Sequence, residues 1–216
     1  MERKEIIEKL QMYGVVPAIV IESPEDSVPL ADALIEGGLP LIEITFRTEA
    51  AADVLNTIKK RKPEILLAAG TILSVEHLLM AKECGAQFAF SPGLNPVIVK
   101  KAQEIDFLFV PGVMTPSEVE QGLSFGLKVM KFYPSVASGG IEMLKALAAP
   151  YAHLGVKFTP TGGINMDNME NYLKYNRVLA VGGTWIASKD LIADKKWDKI
   201  KQNARNAREA AQRIRG

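Results

Sequence analysis

Eight short apolar runs, most of them rich in β-branched residues, recur at fairly even intervals along the chain: Val15–Ile21, Leu41–Phe46, Ile65–Ala69, Phe88–Phe90, Phe107–Val110, Val129–Phe132, Val156–Thr159 and Val178–Val181. Between most of them lies an amphipathic stretch of helical length. Parallel strands need a crossover long enough for a helix, so this alternation reads as a series of βα units. An open doubly wound sheet accommodates the same pattern. Eight regular units within 216 residues favour closure into a (β/α)8 TIM barrel. No linker or low-complexity segment interrupts the pattern, so residues 1–216 read as one domain, with Glu2–Met12 an extra N-terminal helix across the bottom of the barrel.

Local signals mark the helix ends. Thr115-Pro116-Ser117-Glu118 has the spacing of a capping box with proline at the first helical position. Asn165-Met166-Asp167 and Ser23-Pro24-Glu25 read as two further helix starts, and Pro29 should delay or bend the opening turn of the helix it falls in. Gly37-Gly38, Gly85 and Gly126 read as helix stops.

Composition narrows the function classes. The net charge of +1 gives no global field for nucleic acid or anionic lipid, and an aromatic content of 7% supplies no basic-aromatic stripe. The basic C-terminal stretch, Lys195 to Arg215, reads as a solvated helix face. A single cysteine, Cys84, excludes an intramolecular disulfide and suits a reducing compartment; it reads as helix packing. The opening Met1–Glu8 is charged throughout, unlike the apolar centre of a signal peptide, and no apolar run reaches membrane-spanning length. A cytoplasmic protein with no nucleic-acid or membrane partner is expected.

Reading only the ends of the apolar runs, where such folds place their chemistry, leaves few candidates. Lys131 closes one run and is followed at once by Phe132-Tyr133-Pro134. Desolvation disfavours an ammonium ion, so a lysine pointing into a dry interior tends toward a nucleophilic amine, the requirement for Schiff-base chemistry. In Glu43-Ile44-Thr45-Phe46-Arg47, alternate residues share a face, which puts a carboxylate inside and a guanidinium near the mouth. The same glutamate and lysine also read as an internal ion pair that only holds the fold together. The last two loops, Thr161-Gly162-Gly163-Ile164 and Gly182-Gly183-Thr184-Trp185, have the position and the glycines of a phosphate site. His77, read as a helix-surface residue, and His153, read as a loop residue, are too few and too far from strand ends for a metal centre. No dinucleotide or nucleotide-binding glycine motif is present. Trp185 reads as packing.

In order and spacing, Ile42-Glu-Ile-Thr-Phe-Arg-Thr48, Ala69-Gly-Thr-Ile72, Phe90-Ser-Pro-Gly-Leu94, Pro111-Gly112, Met130-Lys-Phe-Tyr-Pro134, Pro160-Thr-Gly-Gly-Ile164 and Gly182-Gly-Thr-Trp185 resemble the 2-keto-3-deoxy-6-phosphogluconate (KDPG) aldolase and 4-hydroxy-2-oxoglutarate (KHG) aldolase family. The resemblance implies a class I aldolase that needs no metal or cofactor, acts on a 2-oxo sugar acid and assembles as a homotrimer. It makes Lys131 the Schiff-base nucleophile and Glu43 the general acid/base. It gives Arg47 and Thr71 the pyruvate carboxylate, lines the pocket with Pro92 and Tyr133, and gives the distal phosphate to Thr161, Gly162, Gly163, Gly183 and Thr184. Two positions depart from the family: Thr184 stands where serine is frequent, and Tyr133 where phenylalanine is common. Two other readings share parts of this pattern. A metal-free sugar-phosphate isomerase or epimerase would use the phosphate loops but no essential lysine. A non-catalytic barrel, sugar-phosphate-binding or purely structural, such as an oligomeric scaffold that is natural or engineered, would need no turnover chemistry.

Overall fold

The apolar runs form parallel strands in the computed structural model, which describes residues 2–216. In chain order these are β1 (Val15–Ile19), β2 (Leu41–Thr45), β3 (Leu66–Gly70), β4 (Phe88–Phe90), β5 (Leu108–Val110), β6 (Gly112–Val113), β7 (Val129–Phe132), β8 (Lys157–Phe158) and β9 (Val181–Gly183). The helices are α1 (Arg3–Tyr13), α2 (Ser27–Glu36), α3 (Ala51–Arg61), α4 (Val75–Glu83) and α5 (Pro96–Glu104), then α6 (Pro116–Ser124), α7 (Gly140–Ala148), α8 (Met169–Leu173), α9 (Lys189–Ala193) and α10 (Trp197–Arg215).

The strands do not close into the eight-stranded barrel that their spacing suggests. They form two parallel sheets, one of six strands in the order β5-β4-β3-β2-β1-β9 and one of three in the order β6-β7-β8. Proline explains both breaks. Pro111 splits one extended segment into β5, which pairs with β4, and β6, which pairs with β7. Pro160 lies two residues past the end of β8, and only the isolated bridges Phe158↔Val178 and Thr161↔Gly182, one on each side of it, reach toward β9. A proline has no N–H to give a ladder, so each break falls where a donor is missing.

The helix starts follow their caps with two adjustments. The capping box at Thr115 and Glu118 is present, with Pro116 opening α6. Around Ser23, a short 3₁₀ turn at Pro24–Asp26 precedes α2, so Pro29 falls in the first turn of α2, where a missing N–H does least harm. Near Asn165 the helix begins later than its sequence suggests: the Asn165 side chain accepts from Asp167 N–H at 2.9 Å, and α8 starts only at Met169. An asparagine that closes a local turn competes with the helix it precedes. Helix α1 buries Ile6 and Leu10, and its Arg3 pairs with Asp106 at 2.8 Å, just before β5. Among the described residues, no helix is long and apolar enough to cross a membrane.

Candidate active site

The two sheets meet around a cavity of about 540 Å³ at the C-terminal ends of the strands. Every residue expected to bind or transform substrate lines it. From the six-stranded sheet come Glu43, Arg47, Thr71, Pro92 and Gly183, with Thr184 just beyond; from the three-stranded sheet and its loops come Lys131, Tyr133, Thr161, Gly162 and Gly163.

At the floor, Lys131 Nζ lies 3.3 Å from Glu43 Oε1, and both side chains are almost wholly buried, at 8% and 2% exposure. Small neighbours make room for them. Glu43 is flanked in register by Ala18 on β1 and Ala68 on β3, and Lys131 by Gly112 on β6. Gly70 ends β3 against the carboxylate, and a Cβ there would overlap Glu43 Oε1. The amine also sits over the Phe90 ring, 5.1 Å from its centroid, and 5.9 Å from that of Tyr133. Thr45 Oγ1 donates to the Ile19 carbonyl at 2.8 Å and so ties β2 to β1 beside the glutamate.

Toward the mouth, Arg47 is exposed and shares the face of Glu43 and Thr45, as the alternation along β2 requires. Thr71 has φ of +58°, a left-handed conformation in which a β-branched side chain is strained, by about 1–3 kcal/mol in typical cases. Such strain persists where the surroundings hold it, and here it turns the chain sharply at the end of β3. Gly162 and Gly163 both have positive φ, at 101° and 77°. Among the described residues, the N–H groups of Gly163 and Ile164 find no protein acceptor, which leaves them available to an anion. Gly183 gives way to the Trp185 ring, which occupies the space where a Cβ would lie.

Other wall residues escaped the sequence reading. Ala18, Val20, Ile164, Asn165 and Trp185 also line the cavity. Ala18 and Val20 come from the end of the first run, and only the rule that every strand end faces the site would have found them. Trp185 was expected as packing alone; it packs against the core and also forms cavity wall. His77 is half-buried rather than on the surface, its ring 5.3 Å from that of Phe46. His153 is exposed, and among the described residues no group of three or more His, Cys, Asp or Glu side chains is placed to hold a metal ion.

The chain that builds this cavity is similar along most of its length to known proteins. The 2-dehydro-3-deoxy-phosphogluconate aldolase of Haemophilus influenzae is 45% identical over 197 residues, covering 91% of this chain and 92% of that protein. The KDPG aldolase of Legionella pneumophila, solved with pyruvate captured as a covalent carbinolamine intermediate, superposes with a TM-score of 0.89 at 37% identity, over 93% of this chain and 96% of the other. The 2-keto-3-deoxy-6-phosphogluconate aldolase of Zymomonas mobilis, solved with 3-phosphoglycerate, gives 0.85 at 35% identity, over 94% and 95%. A family model described as Aldolase: KDPG and KHG aldolase matches residues 6–203, and with relatives this similar along nearly the whole chain, the protein belongs to that family.

Proposed function

We propose that the chain is a class I aldolase that cleaves 2-keto-3-deoxy-6-phosphogluconate to pyruvate and glyceraldehyde 3-phosphate, and by the same steps 4-hydroxy-2-oxoglutarate to pyruvate and glyoxylate. The observation that carries this reading is the buried Lys131–Glu43 contact of 3.3 Å at the floor of the cavity. An isomerase needs no essential lysine there, and an ion pair is a poor way for a scaffold to gain stability, because its desolvation can cancel its attraction.

Lys131 passes a proton to Glu43, and the freed amine adds to the C2 carbonyl to form a carbinolamine. Glu43 returns the proton to the departing hydroxyl, which leaves as water, and an iminium remains. The Glu43 carboxylate then takes the C4 hydroxyl proton. The C3–C4 bond breaks, its electron pair moves into an enamine, and the aldehyde departs. Glu43 protonates C3, and water releases pyruvate and restores the amine. In this reading Arg47 and Thr71 hold the carboxylate, Pro92 and Tyr133 form the walls, and the loops at Thr161, Gly162, Gly163, Gly183 and Thr184 take the distal phosphate. The unpartnered N–H groups of Gly163 and Ile164 support that last assignment.

A homotrimer in the cytoplasm completes the proposal. Leu73 and Met114 on βα loops and Val97 in the first turn of α5, all large exposed apolar side chains, support self-association, and native mass measurement would test it.

Borohydride reduction in the presence of pyruvate, followed by peptide mass spectrometry, is the decisive experiment. A reduced adduct on Lys131 is expected. Folded protein with no adduct on any lysine would end the aldolase reading.

A further inference from the structure

The turn that follows Lys131 and the glycine loop beside it are one packed unit. Ser135 N–H donates to the Thr161 carbonyl at 2.8 Å, and Val136 N–H donates to that of Gly162 at 3.0 Å. The contact leaves no slack: a Cβ on Gly163 would come within 2.7 Å of Val136 Cβ, and one on Gly162 within 3.3 Å of Pro134 Cα. Helix α8 grips both segments. Asn168 Nδ2 donates to the Gly163 carbonyl at 3.0 Å, and the Ser135 hydroxyl donates to the Tyr172 hydroxyl at 3.1 Å. Ser135 and Tyr172 are buried, at 0% and 3% exposure, and an alanine and a phenylalanine would fill the same space with no polar atoms to satisfy. A buried polar pair with an apolar substitute at hand points to geometry rather than stability as its role.

We infer that this unit couples occupancy of the glycine loop by a distal phosphate to the positioning of Lys131, so that the phosphate raises kcat as well as tightening binding. The inference rests on the reading of the chain as a class I aldolase with an anion site at that loop. A phosphate held by the N–H groups of Gly163 and Ile164 restrains the glycine loop. Through the two main-chain hydrogen bonds it restrains Tyr133–Val136, which begins two residues after the nucleophile. Binding energy from a remote, non-reacting group is thereby spent on orientation at the reacting carbon. Ser135 and Tyr172 act as positioning residues, because they lie outside the cavity lining and lock the turn to α8.

The test supplies the phosphate as a separate piece. Cleavage of 2-keto-3-deoxygluconate, which lacks the phosphate, is followed with and without inorganic phosphate, in the wild type and in the double variant S135A/Y172F. That variant removes both hydroxyls and so leaves no orphan. Saturating phosphate should raise wild-type kcat by about tenfold. In the double variant phosphate should bind with unchanged affinity, measured by calorimetry, while the activation falls below about twofold. Equal activation in both proteins overturns the inference, as does phosphate that binds the wild type without changing kcat. A double variant that no longer traps pyruvate on Lys131 would also overturn it, by showing the pair to be structural. Phosphate that fails to bind the wild type at all removes the anion assignment, and the separate binding measurement identifies that failure. A wild type with no pyruvate adduct identifies failure of the aldolase reading itself.

Discussion

The two sheets that frame the cavity are built differently, and in the proposed mechanism each supplies one half of the chemistry. The six-stranded sheet has long ladders; β2 and β3 alone pair over five consecutive residues, from Leu41↔Leu66 to Thr45↔Gly70. Its strands are almost entirely apolar, and the one carboxylate they carry, Glu43, lies between two alanines. The three-stranded sheet pairs over only two residues at each edge and is bounded by Pro111 and Pro160. It carries Lys131 and leads into the glycine loop. A general acid/base works best held rigidly at one spot, whereas the nucleophile must travel from its carboxylate partner to the substrate carbon and back. The more continuous hydrogen bonding is on the side of the group that stays.

This division can be broken by substitution, because the two sides should fail at different steps. Lys131→Ala should abolish both turnover and the borohydride-trapped adduct, the largest effect expected; an adduct that persists would place the nucleophile elsewhere. Glu43→Gln should lower kcat by about 10²–10⁴-fold while still allowing some adduct on Lys131. Near-normal turnover in that variant would remove Glu43 from the chemistry. Gly70→Ala should behave as a weaker form of the same lesion. Its new methyl must displace the Glu43 carboxylate, and a shift of that size costs about 10²-fold in kcat, with the adduct again retained. If Gly70→Ala instead blocks trapping, the two sides are not separable.

Smaller effects sharpen the contrast. Thr71→Gly should relieve the left-handed strain and raise stability by about 1 kcal/mol, read as a rise of about 2–4 °C in Tm. KM for the 2-oxo acid should rise at the same time, and an unchanged KM would argue against contact with the carboxylate. Cys84, far down α4 from the site, should show the least. Burial pushes its thiol up, with Glu83 and Asp53 adding to the effect. The thiolate is the reactive form, so alkylation at neutral pH should be slower than for a free thiol and should quicken only as pH climbs past the ordinary cysteine range. Fast labelling at pH 7 would contradict this environment.

Most of the site was legible because its residues sit at the ends of apolar runs, and alternation fixes which of them face inward. Glu43, Thr45 and Arg47 are the clearest instance. The closure of the sheet was not legible. Even spacing counts βα units but is silent about whether each hydrogen-bond ladder continues, and that depended on two prolines that the periodicity ignores. Gly112–Val113, a ninth strand only two residues long, lies below the length at which any pattern is visible. The late start of α8 turned on an asparagine with two partners available, its own loop or the helix, and only the folded chain shows which it takes.

Glu43 and Lys131 stand 88 residues apart in the chain and on different sheets. Each sheet presents only one member of the pair, a carboxylate or an amine, so the contact exists only where the two sheets meet. On the proposed mechanism, the folding chain gains a competent nucleophile only once the two sheets have docked. In that reading, aldehydes and keto acids meet the paired lysine only in the folded protein.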